Sequence, residues 1–292
     1  MVGLQGFESR RVIGAGAEID VAVSGSGPAV LLLHGYPETK LMWRHVAPVL
    51  AQRFTVVAPD LRGYGDSEKP VSTEDHAPYS KRAMAADMAA VMTALGHRSF
   101  SVVGHDRGAR VGHRLARDYR DRVTKLSVLD ICPTLDMFER TDMAFATAYY
   151  HWFFLIQPFD YPERMIGADP GYYLNRKMRL AANASAFPDD VVVEYVRHFS
   201  DPATVHATCE DYRAAASIDL EHDRVDRHRP LSIPIQALWG AEGVVARSYD
   251  VLSIWRGYTT GAVTGQALPC GHFLPEEAPE DTLTHLLPFL EE

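Results

Sequence analysis

The apolar positions of this chain fall into two kinds of pattern. Ala29–Leu33 and Phe54–Ala58 are short runs with no polar interruption, as expected of strands buried on both faces of a parallel sheet. Glu18–Ser24 alternates instead and ends in the turn Gly25-Ser26-Gly27-Pro28. Helical spacing is predicted around Trp43–Gln52 and again from Lys81 to Leu95. Phe100–Val103 then reads as strand, Asp106–Tyr119 as helix and Lys125–Leu129 as strand. Strands separated by helices in this way predict a mainly parallel sheet flanked by helices, an α/β fold.

Beyond Asp130 the pattern changes. From Pro133 to about Val225 the spacing is helical with no convincing strand, and aromatics gather at Tyr149, Tyr150, Trp152, Phe153 and Phe154. Strand character resumes at Pro234–Trp239, followed by a helix near Tyr249–Gly257, a weak strand at Ala262–Leu268 and a last helix at Pro279–Leu290. The expected organisation is a core made of residues 1–133 and 226–292, with a helical cap, residues 134–225, inserted after the strand that ends near Asp130. The charged, histidine-bearing run Glu221–Pro230 is expected to be a solvated surface segment between the two.

Composition narrows the classes of function. With 38 acidic against 29 basic residues the formal net charge is −9, which repels phosphate backbones and anionic lipid, so nucleic acid is not an expected partner. Cys132, Cys209 and Cys270 are odd in number and widely spaced, which fits buried thiols in a reducing compartment. Neither a long apolar span nor a charged start followed by an apolar stretch is present. A cytoplasmic location without membrane insertion is therefore the expectation.

The densest chemical signal is Val102-Val103-Gly104-His105-Asp106-Arg107-Gly108, where a buried-type strand turns into a helix between flanking glycines. This is the nucleophile-elbow pattern with Asp106 in the nucleophile's place. Carboxylate attack on an ester would give an anhydride, whereas attack on a saturated carbon bearing a leaving group gives a stable ester, so the electrophile should be an alkyl carbon. Hydrolysing that ester needs a base, an acid to orient it and donors for an oxyanion. His272, in Pro269-Cys270-Gly271-His272-Phe273, comes last in the order nucleophile, acid, histidine and is the candidate base. Asp130 and Glu242 both follow strands and could serve as the acid; Asp130 is favoured, because an unpaired carboxylate at the end of an apolar strand is costly. The backbone amides of Tyr36 and Arg107 are the candidate oxyanion donors. Arg107 and Arg110, three apart on the helix that leaves the elbow, can both face an anionic substrate and hold it as a fork-like ion pair.

These segments resemble the α/β-hydrolase superfamily over nearly the whole chain, in its branch of epoxide hydrolases, haloalkane dehalogenases and haloacetate dehalogenases that use an Asp nucleophile. The string Gly104-His105-Asp106-Arg107-Gly108-Ala109-Arg110 is similar to that of fluoroacetate dehalogenases, whereas the other two groups usually carry Trp after the Asp. The resemblance implies that Arg107 and Arg110 bind the substrate carboxylate. It also implies that His151, Trp152 and Tyr212, in Tyr150-His151-Trp152 and Cys209-Glu210-Asp211-Tyr212-Arg213, donate hydrogen bonds to the departing halide. No metal or cofactor is implied, a small haloacid is the partner, and a homodimer is possible on the same ground. The family's pocket-lining Trp has no counterpart in Met178-Arg179-Leu180-Ala181-Ala182, which leaves halide and chain length open. Two other readings stand: an epoxide hydrolase with Tyr150 and Tyr212 as acids, and a non-catalytic binder of small carboxylates.

Overall fold

A strand apolar on both faces needs cover on both sides, and the chain supplies it with helices. The computed structural model describes residues 3–178 and 181–292. Its eight strands are β1 (Glu8–Ile13), β2 (Glu18–Ser24), β3 (Ala29–Leu33), β4 (Thr55–Pro59), β5 (Phe100–His105), β6 (Val123–Leu129), β7 (Ile235–Gly240) and β8 (Val263–Leu268). They form one sheet in the order β1-β2-β4-β3-β5-β6-β7-β8. β1 pairs antiparallel with β2 and β2 with β4; every other pairing is parallel. Every residue of β3 and β5 is buried, and alternate side chains feed two separate cores. Leu31 and Leu33 belong to one cluster, Val30 and Leu32 to the other. This is the mostly parallel, helix-flanked sheet expected of an α/β-hydrolase fold.

β1 was not legible in the sequence. Five of its six residues are exposed, so an edge strand reading Glu-Ser-Arg-Arg-Val-Ile carries no apolar periodicity. The predicted helix Trp43–Gln52 is instead a 3₁₀ turn, Lys40–Trp43, and a single turn, Ala47–Leu50, with a proline at its start. The helix near Tyr249–Gly257 shrinks to Val251–Arg256, where the Asp250 side chain accepts from the Ser253 amide.

Among the described residues between β6 and β7 there is no strand, and helices run from Thr134–Glu139 to Ile218–Asp226. The run Glu221–Pro230 is mostly exposed, as expected, with one departure. Part of it belongs to the helix Ile218–Asp226, and Asp226 is buried: its carboxylate accepts from Arg114 Nη2 at 2.5 Å and its carbonyl from Arg117 Nη1 at 2.9 Å. Charge alone did not reveal those two arginines on the facing helix Asp106–Asp118. All three cysteines are buried and free, and no described helix is long and apolar enough to cross a membrane.

Candidate active site

The parallel strands end at one edge of the sheet, and there β5 passes straight into the helix Asp106–Asp118. The turn forces Asp106 to φ 43°, the left-handed region that a residue with a Cβ seldom adopts. Gly108 makes it possible, since a Cβ there would stand 2.4 Å from the carbonyl oxygens of both Leu33 and His34. The loop after β3 comes equally close. A Cβ on Gly35 would lie 2.8 Å from that of Asp106, and this approach lets the Tyr36 amide donate to Asp106 Oδ2 at 3.2 Å. His34 is occupied with holding the loop, its Nε2 accepting from the Leu61 amide at 2.9 Å.

Burial alone would push the Asp106 carboxyl up. The charges of His272, Arg110, His105 and Arg107 outweigh it and hold the group below the usual carboxylate range, hence ionised. The sheet order brings the ends of β6, β7 and β8 together. His272, in the loop after β8, lies with Nδ1 2.6 Å from Asp130 Oδ2, just past β6. The other carboxylate oxygen, Asp130 Oδ1, accepts from the Gly240 amide at the end of β7, at 3.0 Å. Glu242, the other candidate acid, is exposed. One further pair had no signal in the sequence. Buried His105 donates from Nε2 to the His272 carbonyl at 2.8 Å, and its Nδ1 is 3.5 Å from buried Glu38. A buried acid in a loop is indistinguishable by composition from a solvated one.

Both arginines already have partners within the protein. Arg107 is fully buried and is already engaged: Nε donates to Asp211 Oδ2 at 3.1 Å, and Nη2 to Oδ1 at 2.6 Å and to the carbonyl at 2.8 Å. Arg110 Nη1 donates to the Cys132 carbonyl at 3.1 Å and to Thr134 Oγ1 at 3.0 Å, while Nη2 meets Met137 Sδ at 3.1 Å. Arg107 Nη1 and Arg110 Nε are left with no hydrogen-bond partner among the described residues. Each guanidinium therefore has one wholly free nitrogen rather than a fork.

Two of the three candidate halide donors meet these arginines face on. Arg107 lies 4.1 Å above the Tyr212 ring and Arg110 4.7 Å above that of Trp152. The centroid of the His151 ring is 5.9 Å from that of Tyr212, and Trp152 is 6.3 Å from it. His151 Nδ1, Trp152 Nε1 and Tyr212 Oη are buried and likewise have no partner among the described residues. Burial drives His151 well below its ordinary value, so the imidazole is neutral, and drives the Tyr212 phenol well above, so it keeps its proton. Tyr150 is 44% exposed and outside this group.

A cavity of about 250 Å³ opens onto Asp106 and His272, with Tyr36, His151 and Lys177 in its wall. Arg107, Arg110, Trp152 and Tyr212 are not part of that wall and are buried beside it. Ala182 lines the cavity; Arg179 and Leu180, in the same tryptophan-free stretch, lie outside the described residues. Lys177 is a wall residue that the sequence did not single out.

The family model described as alpha/beta hydrolase fold matches residues 28–279. Fluoroacetate dehalogenase from a Burkholderia species is 45% identical over 288 residues, which cover 98% of this chain and 94% of the relative. A soluble epoxide hydrolase from Corynebacterium sp. (strain C12) is 35% identical over 94% of both chains. A solved structure described as an alpha/beta hydrolase, from Nostoc sp PCC 7120, aligns with a TM-score of 0.97 at 55% identity and covers 99% of each chain.

Proposed function

We propose, for a chain that belongs to the alpha/beta hydrolase fold family and resembles the fluoroacetate dehalogenase of Burkholderia along nearly its whole length, that it is a hydrolytic dehalogenase of haloacetates. One observation carries this reading. Arg107 Nη1, Arg110 Nε, His151 Nδ1, Trp152 Nε1 and Tyr212 Oη are five buried polar atoms left without a partner among the described residues, grouped around a buried, ionised aspartate. Leaving a buried polar group unmatched costs ~1–3 kcal/mol each, an arrangement that makes sense when a ligand rich in acceptors completes it. A carboxylate bridging one N–H from each arginine, with a halide among the His, Trp and Tyr donors, is such a ligand.

In this scheme an Asp106 oxygen attacks the α-carbon, the carbon–halogen bond breaks and its electron pair leaves on the halide. The Tyr36 amide and the start of the helix Asp106–Asp118 then face the carbonyl oxygen of the ester. His272, held by Asp130, takes a proton from water as the hydroxyl adds to that carbonyl. Collapse releases glycolate and restores the Asp106 carboxylate; the net products are glycolate, halide and a proton. The experiment is to incubate the protein with fluoroacetate and chloroacetate and follow halide and glycolate. Folded protein that releases neither halide overturns the reading. Turnover of styrene oxide with inert haloacetates would install the epoxide hydrolase reading instead, although exposed Tyr150 is poorly placed to serve as its second acid.

A further inference from the structure

The cavity is larger than a two-carbon acid requires. Its 250 Å³ is about eight times the ~30 Å³ share of one water in the liquid. The small residues Ala148, Ala182 and Gly243 are part of its wall. That wall also carries Lys177, which is only 8% exposed and yet has no hydrogen-bond or ion-pair partner among the described residues. Its Nζ lies 6.0 Å from the centroid of the Tyr150 ring. The Nζ is not among the sealed atoms without a partner and so opens onto the cavity; burial of the side chain lowers the amine to about 7, and only the Asp106 charge opposes the shift. The carboxylate of a haloacetate is already provided for by the free nitrogens of Arg107 and Arg110, so Lys177 is surplus to a monoacid. The outer wall adds exposed Arg247, with exposed Glu242 as the one acid there apart from Asp106.

We propose that Lys177, in the wall of the cavity that Asp106 and His272 also line, is a second anion-binding position beside the one proposed for the two arginines, and that the chain accepts 2-halo acids whose α-substituent ends in a further carboxylate, such as a 2-halosuccinate. The inference rests on the dehalogenase reading. The α-carboxylate keeps its place on the two arginines, the carbon–halogen bond stays in reach of Asp106, and the distal carboxylate pairs with the Lys177 ammonium. The chemistry is unchanged: Asp106 displaces halide, and water cleaves the ester to give a 2-hydroxy diacid, halide and a proton.

The test measures kcat and KM for chloroacetate and for each enantiomer of 2-chlorosuccinate, by halide release, with the unaltered protein, Lys177→Met and Lys177→Arg. Both substrates should be turned over. Lys177→Met should raise KM for 2-chlorosuccinate by a factor about tenfold or more beyond any change for chloroacetate, the loss of one charge-assisted hydrogen bond. Lys177→Arg should recover most of the difference. Turnover of chloroacetate with neither enantiomer of 2-chlorosuccinate accepted overturns this inference and leaves the dehalogenase reading intact. Equal losses for both substrates overturn it too, and make Lys177 a general attractor of anions. Failure of both substrates with the unaltered protein overturns the dehalogenase reading as well.

Discussion

Asp106 is held at φ 43°, and the backbone there is costly for a residue that could be relaxed anywhere else in the chain. The strain places the carboxylate beside the Tyr36 amide and within the field of His272, Arg110, His105 and Arg107. In the proposed scheme the first step needs only that carboxylate, and the second needs His272. His272→Asn should therefore still release one equivalent of halide and then stop, with a carboxymethyl ester accumulating on Asp106 that intact mass spectrometry detects. A folded variant that accumulates no adduct under excess substrate would mean that the base or the two-step scheme is misassigned. The halide donors make a separate prediction. Fluoride is the stronger hydrogen-bond acceptor and the poorer leaving group, so losing one donor should cost more for fluoroacetate than for chloroacetate. Tyr212→Phe is expected to lower kcat/KM on fluoroacetate by about 1–3 kcal/mol in activation free energy, roughly 5- to 150-fold, and less on chloroacetate. Equal factors would make Tyr212 a packing residue of the cap.

At the level of elements, two helices between β6 and β7 are tied together by one carboxylate. Glu163, on the helix Tyr161–Gly167, accepts from Arg213 Nη1 at 2.6 Å and Nη2 at 3.1 Å and stands 3.1 Å from His206 Nδ1. Both partners belong to the helix Pro202–Ala215, which also carries Asp211 and Tyr212. Burial would raise the Glu163 carboxyl, but the hydrogen bonds from His206 and Arg213 dominate and bring it from 4.5 down to about 2. A carboxyl lowered on folding stabilises the native state above its unfolded value. Its contribution is lost as pH falls through the window from about 4.5 to about 2. The melting temperature should fall across that window, and Glu163→Gln should fall less steeply because it has no proton to gain. Identical pH profiles for the two proteins would show that solvent screening removes the contribution of this half-buried group.

At the scale of the whole molecule, Asp211 is the point where the helix Pro202–Ala215 meets the helices Asp106–Asp118 and Lys81–Ala94. It accepts from Arg107 of the helix Asp106–Asp118, from Lys81 at the start of the helix Lys81–Ala94, and from Tyr64 at 2.7 Å. Arg107 and Lys81 hold its carboxyl far below the usual range despite burial. Removing it strands buried Arg107 and leaves buried Lys81 with Asp219 alone, at 3.7 Å. Asp211→Ala should destabilise the protein by about 3–5 kcal/mol, read as a lower urea midpoint at unchanged slope. A loss under about 1 kcal/mol, the value of an exposed pair, would mean that water reaches the cluster.

The sequence by itself determined the layered architecture, because unbroken apolar runs such as Ala29–Leu33 state directly that both faces of a strand are buried. It determined the elbow as well, since Gly104 and Gly108 around Asp106 are a local geometric requirement that local residues meet. Polar edges stayed silent: β1 has no apolar face to announce it. The tertiary structure decided what depends on residues far apart in the chain. Asp130, and not Glu242, meets His272 because β6, β7 and β8 lie side by side, which brings a carboxylate and a histidine 142 positions apart to 2.6 Å. Arg107 offers one free nitrogen rather than a fork because Asp211, 104 positions away, has taken the others. Lys177 and the pair of His105 with Glu38 carry no periodic mark at all. Periodicity reports which face of an element is buried, but the partner of a buried charge is set by packing between elements, and only the folded chain specifies it.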